Sequence, residues 1–481
     1  MDFEPILNKE NINQNLRNME FPWPSLVVSR GNEIEKDLRT GKKYPFKEVI
    51  HAHAGDPQGM GQKPITFFQQ IVSLCVNPDL LQSDFFPSDV KQRAITILEN
   101  CRGKSIGSYS DCCGMKIVRQ QVARFIQQRD GIPASYEDIF LSSGATDALR
   151  IVLYLFCNSS EDKPPGVMVP IPQYPLFSST VTEYGMYQIS YYLNEEKQWA
   201  LDVSELQRAI NESKPYCDPK VLVIINPGNP GGFVMSRTDI ESIIKFAYEE
   251  NLFIMADEVY QYNVYDPEVK FYSFKKIMTE MGPPYNLMEL SSFMSASKGY
   301  MGECGARSGY CEIVNLDDEI KDLLIRLISA RMCPPLLGQI IMYCITNPPQ
   351  CNEPSYEQFE KEKNSIIQSL KERAEYCYKK FNSVEGLSCN KVVGAMYVYP
   401  RIHLSQQAIQ KAFEQNLRPD EFYAMEMLLD CGVCIIPGCL FGQKPQTYHF
   451  RLTFLPQMDK LKIIVEKILK FHVKFMDEYR D

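Results

Sequence analysis

The chain has 481 residues, 44% hydrophobic and 23% charged, with a formal net charge of -9. That is enough for two or three domain-sized units, or for one large α/β domain with a smaller partner, and the composition is ordinary for a globular protein. The acidic balance and the lack of a basic block argue against a nucleic-acid partner, and no apolar window reaches the length of a membrane span.

Residues 1–20 mix acids and asparagines with few arginines. They lack the apolar core of a secretion signal and are too acidic for a mitochondrial presequence, so a cytoplasmic protein is expected. The 16 cysteines are scattered and read as reduced thiols. His51-Ala-His53 and Cys431-Gly-Val-Cys434 both have ligand-like spacing, but neither has a second pair near it. Both are read as packing residues, and no metal site is expected.

Residues 1–50 read as a helix and arm, followed by a glycine-rich stretch from Val49 to Pro64. Helical periodicity marks Thr66–Cys75, Pro87–Cys101 and Met115–Asp130. From about residue 137 the pattern changes to short apolar runs alternating with helical stretches. The runs are Ile139–Leu141, Val167–Val169, Val221–Ile225, Leu252–Ala256, Leu287–Phe293 and Tyr310–Val314. Several are apolar throughout, as strands buried on both faces are. The helices between them are Thr146–Phe156, Asp202–Asn211 and Arg237–Glu250. This alternation predicts a doubly wound, mostly parallel α/β sheet. It fades after residue 345, where a proline-rich linker, a charged helix over Ser355–Phe381 and strand candidates at Ala395–Tyr399, Val433–Ile436 and His449–Thr453 predict a smaller α+β unit.

Open α/β sheets bind ligands beyond the carboxyl ends of their strands, so the residues that follow each run matter most. Small residues, Ser142 to Asp147, lead into a helix whose N-terminus suits an anion. Tyr174 is held between prolines and could stack on a planar ring. Asn229 lies in a turn that prolines and glycines keep from being helical. Asp257 is a carboxylate at the end of a buried strand, costly unless it has a partner such as a protonated ring nitrogen; Tyr260 is three residues on. Lys298 follows the fifth of these runs, with Ser295 before it and Arg307 after it. Lysine forms Schiff bases with carbonyl compounds when its surroundings lower its pKa. Each feature alone fits a cap, a turn or a salt bridge. Together they fit a reactive amine beside a phosphate-bearing aromatic cofactor.

The chain resembles the alanine aminotransferase branch of the fold-type I pyridoxal-phosphate-dependent transferases. The motifs that carry the resemblance are Met60-Gly-Gln-Lys-Pro-Ile-Thr, Ile171-Pro-Gln-Tyr-Pro-Leu, Ile225-Asn-Pro-Gly-Asn-Pro-Gly, Ala256-Asp-Glu-Val-Tyr-Gln, Ser297-Lys-Gly-Tyr-Met-Gly-Glu-Cys-Gly, Cys333-Pro-Pro and Tyr448-His-Phe-Arg-Leu-Thr. It implies an N-terminal arm over residues 1–50, the first part of a small domain with an active-site loop over 51–100, a large cofactor-binding domain over 101–345 and the rest of the small domain over 346–481. It implies pyridoxal 5′-phosphate linked to Lys298, which also moves the substrate proton. Asp257 would meet the ring nitrogen, Asn229 and Tyr260 the ring oxygen, and Tyr174 the ring face. Ala145, Thr146, Ser295 and Arg307 would hold the phosphate, joined by Tyr109 from the neighbouring subunit of a homodimer. Arg451 would clamp the substrate carboxylate, with Asn229, Ala54 and Gly55 close to the substrate.

The implied reaction is ping-pong exchange between L-alanine with 2-oxoglutarate and pyruvate with L-glutamate. Alternatives are transfer from another small amino acid or to glyoxylate, a lyase on the same scaffold, or a low-activity cofactor-binding relative kept as an interaction protein. The chain departs from the family where Gly231 stands for threonine, where Met294 stands for a frequent histidine, and where Asp111-Cys112-Cys113 follows Tyr109.

Overall fold

The computed structural model describes residues 6–19, 24–158 and 162–480. Residues 1–5 and 20–23 of the expected arm lie outside the described residues. Seven strands form the central sheet: β1 (Ile139–Ser142), β2 (Pro165–Ile171), β3 (Tyr187–Tyr192), β4 (Asp218–Ile225), β5 (Phe253–Asp257), β6 (Leu290–Ser295) and β7 (Gly309–Val314). Their order across the sheet is β1-β7-β6-β5-β4-β2-β3. Every neighbouring pair is parallel except the two made by β7. The fold is therefore α/β with one reversed strand. Strands β1, β2, β5 and β6 are buried along their whole length, because helices cover both faces.

Two sequence expectations need correction. Strand β3 has no predicted counterpart, because its tyrosines, Gln188 and Ser190 lack a continuous apolar run and it is only half-buried at the sheet edge. Strand β6 starts at Leu290 rather than Leu287, since Tyr285–Leu287 form a 3-10 turn behind Pro284 and leave Leu287 exposed.

With β7 alone reversed, the carboxyl ends of the other strands all lie along one edge. Register places Ile225 beside Asp257 and Asp257 beside Phe293. Gly309 pairs with both Ser142 and Ser295, which brings the loop after β1 next to the loop after β6.

The C-terminal part supplies the other wall of the site. Tyr397–Val398, Phe450–Thr453 and Ile436–Pro437 form a three-stranded antiparallel sheet with Phe450–Thr453 in the middle. The long helix Tyr356–Phe381 buries Leu370, Ala374, Cys377 and Phe381 at helical spacing against this unit, and the Phe381 and Phe450 rings meet edge to face. Val27, Val28 and Ile34, from the helix Leu26–Arg39, join the same core. Near them, Ile50–His51 pairs in parallel with Val433–Cys434. Among the described residues no helix is long and apolar enough to cross a membrane.

Candidate active site

A cavity of about 440 Å³ opens at the carboxyl edge of the sheet, closed on its far side by the C-terminal unit. Lys298 and Asp257 both line it, reaching it from adjacent parallel strands. The expected residues Ala54, Gly55, Ala145, Thr146, Tyr174, Asn229, Tyr260, Ser295, Arg307 and Arg451 line it too. Tyr109 does not; it is 67% exposed on the surface of its own chain.

Lys298 is partly buried, and its Nζ donates to the Gly55 carbonyl at 3.1 Å. Burial disfavours the ammonium, but Tyr397, Cys304 and Tyr174 outweigh it and carry the amine above its ordinary value. The lowered pKa expected from sequence is thus not produced by these side chains, whose charge interactions favour the ammonium. Gly55 must be small, because a Cβ there would lie 3.2 Å from Nζ and overlap the Tyr397 hydroxyl.

Asp257 is only 5% exposed, and among the described residues its carboxylate accepts a single hydrogen bond, from the Val259 N–H, long at 3.4 Å. Burial pushes its carboxyl up to about 7 against the pull of that N–H and of Lys298. Such a group is stabilised by any cationic N–H that enters the cavity.

The loops after β1 and β6 form an anion cup. The helix Ala145–Tyr154 starts at Gly144, whose φ of 93° is open to glycine. A Cβ at Gly144 would meet Arg307 Nη2 at 2.7 Å. Arg307 is itself held by the Ser143 and Cys304 carbonyls, at 3.0 Å and 3.2 Å. Ser295 and Ser297 stand beside this helix start and line the cavity. Free N–H groups, a guanidinium and two hydroxyls are the donors that phosphate needs.

Arg451 is 6% exposed and no carboxylate pairs with it among the described residues. Its Nη1 donates to Asn229 Oδ1 at 3.2 Å and its Nη2 to the His53 carbonyl at 3.1 Å, while Nε has no partner among the described residues. The Tyr397 and Phe441 rings flank the guanidinium, with centroids at 4.0 Å and 4.6 Å. A buried cation held only by neutral groups is suited to an incoming carboxylate.

Tyr397 has no place among the residues expected from sequence. Burial opposes its ionisation, yet Lys298 and Arg451 on either side bring its phenol below the ordinary value. It sat inside a predicted strand with no motif to mark it, and only the pairing of Tyr397 with Thr453 turns it towards the cavity. Two departures from the expected pattern also find reasons. Asp111 is mostly exposed, lies outside the cavity and faces Arg119 at 3.8 Å. Gly231 leaves room for Trp199, whose ring a Cβ would meet at 2.9 Å.

The family model for aminotransferase class I and II matches residues 69–468. The chain belongs to the class I and II aminotransferase family. This aminotransferase is 48% identical over 476 residues to alanine aminotransferase 1 of Homo sapiens, covering 98% of this chain and 96% of the relative. It is 49% identical to alanine aminotransferase 2 of Xenopus laevis, covering 98% and 88%. Among solved structures, alanine aminotransferase from Pyrococcus furiosus superposes with a TM-score of 0.75 at 21% identity, covering 96% and 100%, which shows the shared fold.

Aminotransferases of this family depend on pyridoxal 5′-phosphate. The residues present fit it. A buried carboxylate lacking a cation lies across the cavity from an anion cup, with an amine in the same space. Arg451 Nε, without a partner among the described residues, adds a donor where the substrate carboxylate would need one.

Proposed function

We propose that this aminotransferase exchanges the amino group of L-alanine for the oxo group of 2-oxoglutarate, giving pyruvate and L-glutamate. The observation that carries the reading is one cavity holding a reactive amine, Lys298, and an unpaired guanidinium, Arg451. The names of the relatives, at 48–49% identity over nearly the full chain, support alanine as the amino donor.

When bound, pyridoxal 5′-phosphate supplies the carbonyl carbon that accepts the amino group and a ring that takes up the electron pair left at the substrate Cα. Asp257 would hold the ring nitrogen protonated, since its carboxylate has no other strong donor nearby. Asn229 and Tyr260 would donate to the ring oxygen, and Tyr174 would cover one ring face. The Ala145 and Thr146 amides, Ser295 and Arg307 would keep the phosphate, and with it the ring, in place. Arg451 binds the carboxylate shared by every substrate of both half-reactions. That would leave Cα near Lys298, whose amine would take up and hold the substrate proton. Ala54 and Gly55 close the cavity over the small alanine methyl and keep water out. The first oxo acid must leave before the second enters, because both use Arg451.

We also propose a homodimer in which Tyr109 reaches the phosphate region of the neighbouring subunit, supported by its exposure and by Gln339 Nε2 donating to the adjoining Ser110 Oγ at 3.0 Å. The 16 free cysteines support a reducing compartment such as the cytoplasm. The reading is tested by the colour of the purified holoenzyme: L-alanine should bleach its yellow absorbance and 2-oxoglutarate restore it. A yellow protein that ignores alanine but responds to glycine or glyoxylate would replace this donor assignment.

A further inference from the structure

The two ligand-like motifs set aside in the sequence meet in the fold. Ile50–His51 runs parallel to Val433–Cys434 with His51 opposite Cys434, and His53 lies two residues further on. Ligand atoms of His51, His53 and Cys434 all lie within 4.8 Å of one another. Neither motif could show this, because His53 and Cys434 lie 381 positions apart in the chain.

We propose that His51, His53 and Cys434 form a site for a thiophilic divalent cation of the zinc class, with Glu35 positioning His51 from outside. The ligand set is soft: two imidazoles and a thiol favour zinc over magnesium or calcium, which prefer oxygen. Tetrahedral zinc, with bonds of about 2.0–2.3 Å, holds its ligand atoms roughly 3.3–3.8 Å apart. The ligand atoms therefore have to close by roughly 1 Å around the ion.

The outer nitrogens are arranged as metal-binding histidines need. His51 Nε2 meets Glu35 Oε1 at 3.1 Å, which leaves Nδ1 as its inward nitrogen. The His53 ring is hydrogen-bonded by the backbone of Cys434. A carboxylate or backbone partner on the outer nitrogen fixes the ring and its tautomer for metal binding. The two rings stand at 77° with centroids 5.2 Å apart, so their edges can converge rather than stack. Space is present as well. Gly31, one helical turn before Glu35, faces the site, and a Cβ there would lie 3.6 Å from Cys434 Sγ and 3.8 Å from His51 Cε1.

His53 and Cys434 are buried, whereas His51 and Glu35 are partly exposed and offer an entry route. As the metal–sulfur bond forms, the Cys434 thiol proton passes to solvent and nothing is oxidised. Water completes the fourth position. The site lies directly behind the substrate clamp, since the His53 carbonyl accepts from Arg451.

The test uses the cofactor-loaded full chain, freed of metal by a chelator and titrated with Co2+ alone. One equivalent per chain should bind with the strong visible bands of tetrahedral cobalt, and Zn2+ should displace it. X-ray absorption on the zinc form should find one sulfur and two imidazoles. His51→Ala and Cys434→Ser should each weaken Zn2+ binding at least about 100-fold, and Glu35→Gln about 10-fold. Glu35→Gln alters a partly exposed side chain, so its effect does not depend on an intact core. Failure to take up one tetrahedral cobalt, or bands that persist unchanged in His51→Ala, would overturn the site.

Discussion

The charge on one nitrogen decides when the cofactor can attach. Tyr397, Cys304 and Tyr174 outweigh burial and favour protonated Lys298, while attachment needs the neutral amine. Covalent uptake of pyridoxal 5′-phosphate by cofactor-free protein should therefore slow as pH falls through the raised pKa of Lys298. Tyr397→Phe removes a phenol that favours the ammonium, so the same limb of the rate profile should move to lower pH. An unmoved limb, read from the absorbance of the bound cofactor, would count against that role for Tyr397. Lys298→Ala should cost at least about 1,000-fold in turnover, the scale of a lost proton shuttle, while the fold stays intact. Arg451→Lys keeps the charge but loses the two-pronged guanidinium. It should lower kcat/KM for alanine and 2-oxoglutarate alike by about 10–100-fold, the worth of roughly 1.5–3 kcal/mol for a charged hydrogen bond. If only one substrate suffers, the shared clamp is wrong. Lys298, Asp257 and Arg451 were legible in the sequence because each stands in a distinctive motif. Tyr397 was not, because its role comes from its neighbours across the sheet.

At the scale of elements, the strand ends carry the chemistry. Buried strands announce themselves as continuous apolar runs, so five of the loops at the site could be found before any coordinates. The half-polar edge strand β3 could not, and although the three strands of the sheet that carries Arg451 were expected, their pairing was not, because the contacts are short and distant in sequence. Gly144 joins the two kinds of knowledge: its position before a helix is visible in sequence, while its contact with Arg307 is not. Gly144→Ala would force a side chain into left-handed backbone and push Arg307 away. The strain alone is about 1–2 kcal/mol, so the cofactor dissociation constant measured by equilibrium dialysis should rise about 10-fold or more. Unchanged affinity would mean that Arg307 is not part of the anion cup.

For the whole molecule, the cavity is held open at a cost in stability. Asp257 and its neighbour Glu258 are both buried, and burial pushes each carboxyl up to about 7. Glu258 is satisfied by Ser292 Oγ at 2.5 Å and the Phe274 N–H at 2.8 Å, whereas Asp257 is not. Folding therefore takes up protons between the ordinary carboxyl range and about pH 7. The cofactor-free protein should lose stability as pH rises through that window, by up to about 1.4 kcal/mol per pH unit for each group. Asp257→Asn should remove about half of that slope in thermal unfolding while abolishing turnover, and a slope of the opposite sign would contradict the burial argument. Sedimentation should return twice the 55.4 kDa of one chain, and a fully active monomer would remove the role proposed for Tyr109.

The claim on which the rest depends is that Lys298 and Arg451 serve one cofactor in one cavity. The direct measurement is a single half-reaction: holoenzyme mixed with excess L-alanine and no oxo acid, with pyruvate counted. The account predicts one pyruvate per chain, then a halt until 2-oxoglutarate is added. No pyruvate, or sustained release without an acceptor, would contradict it.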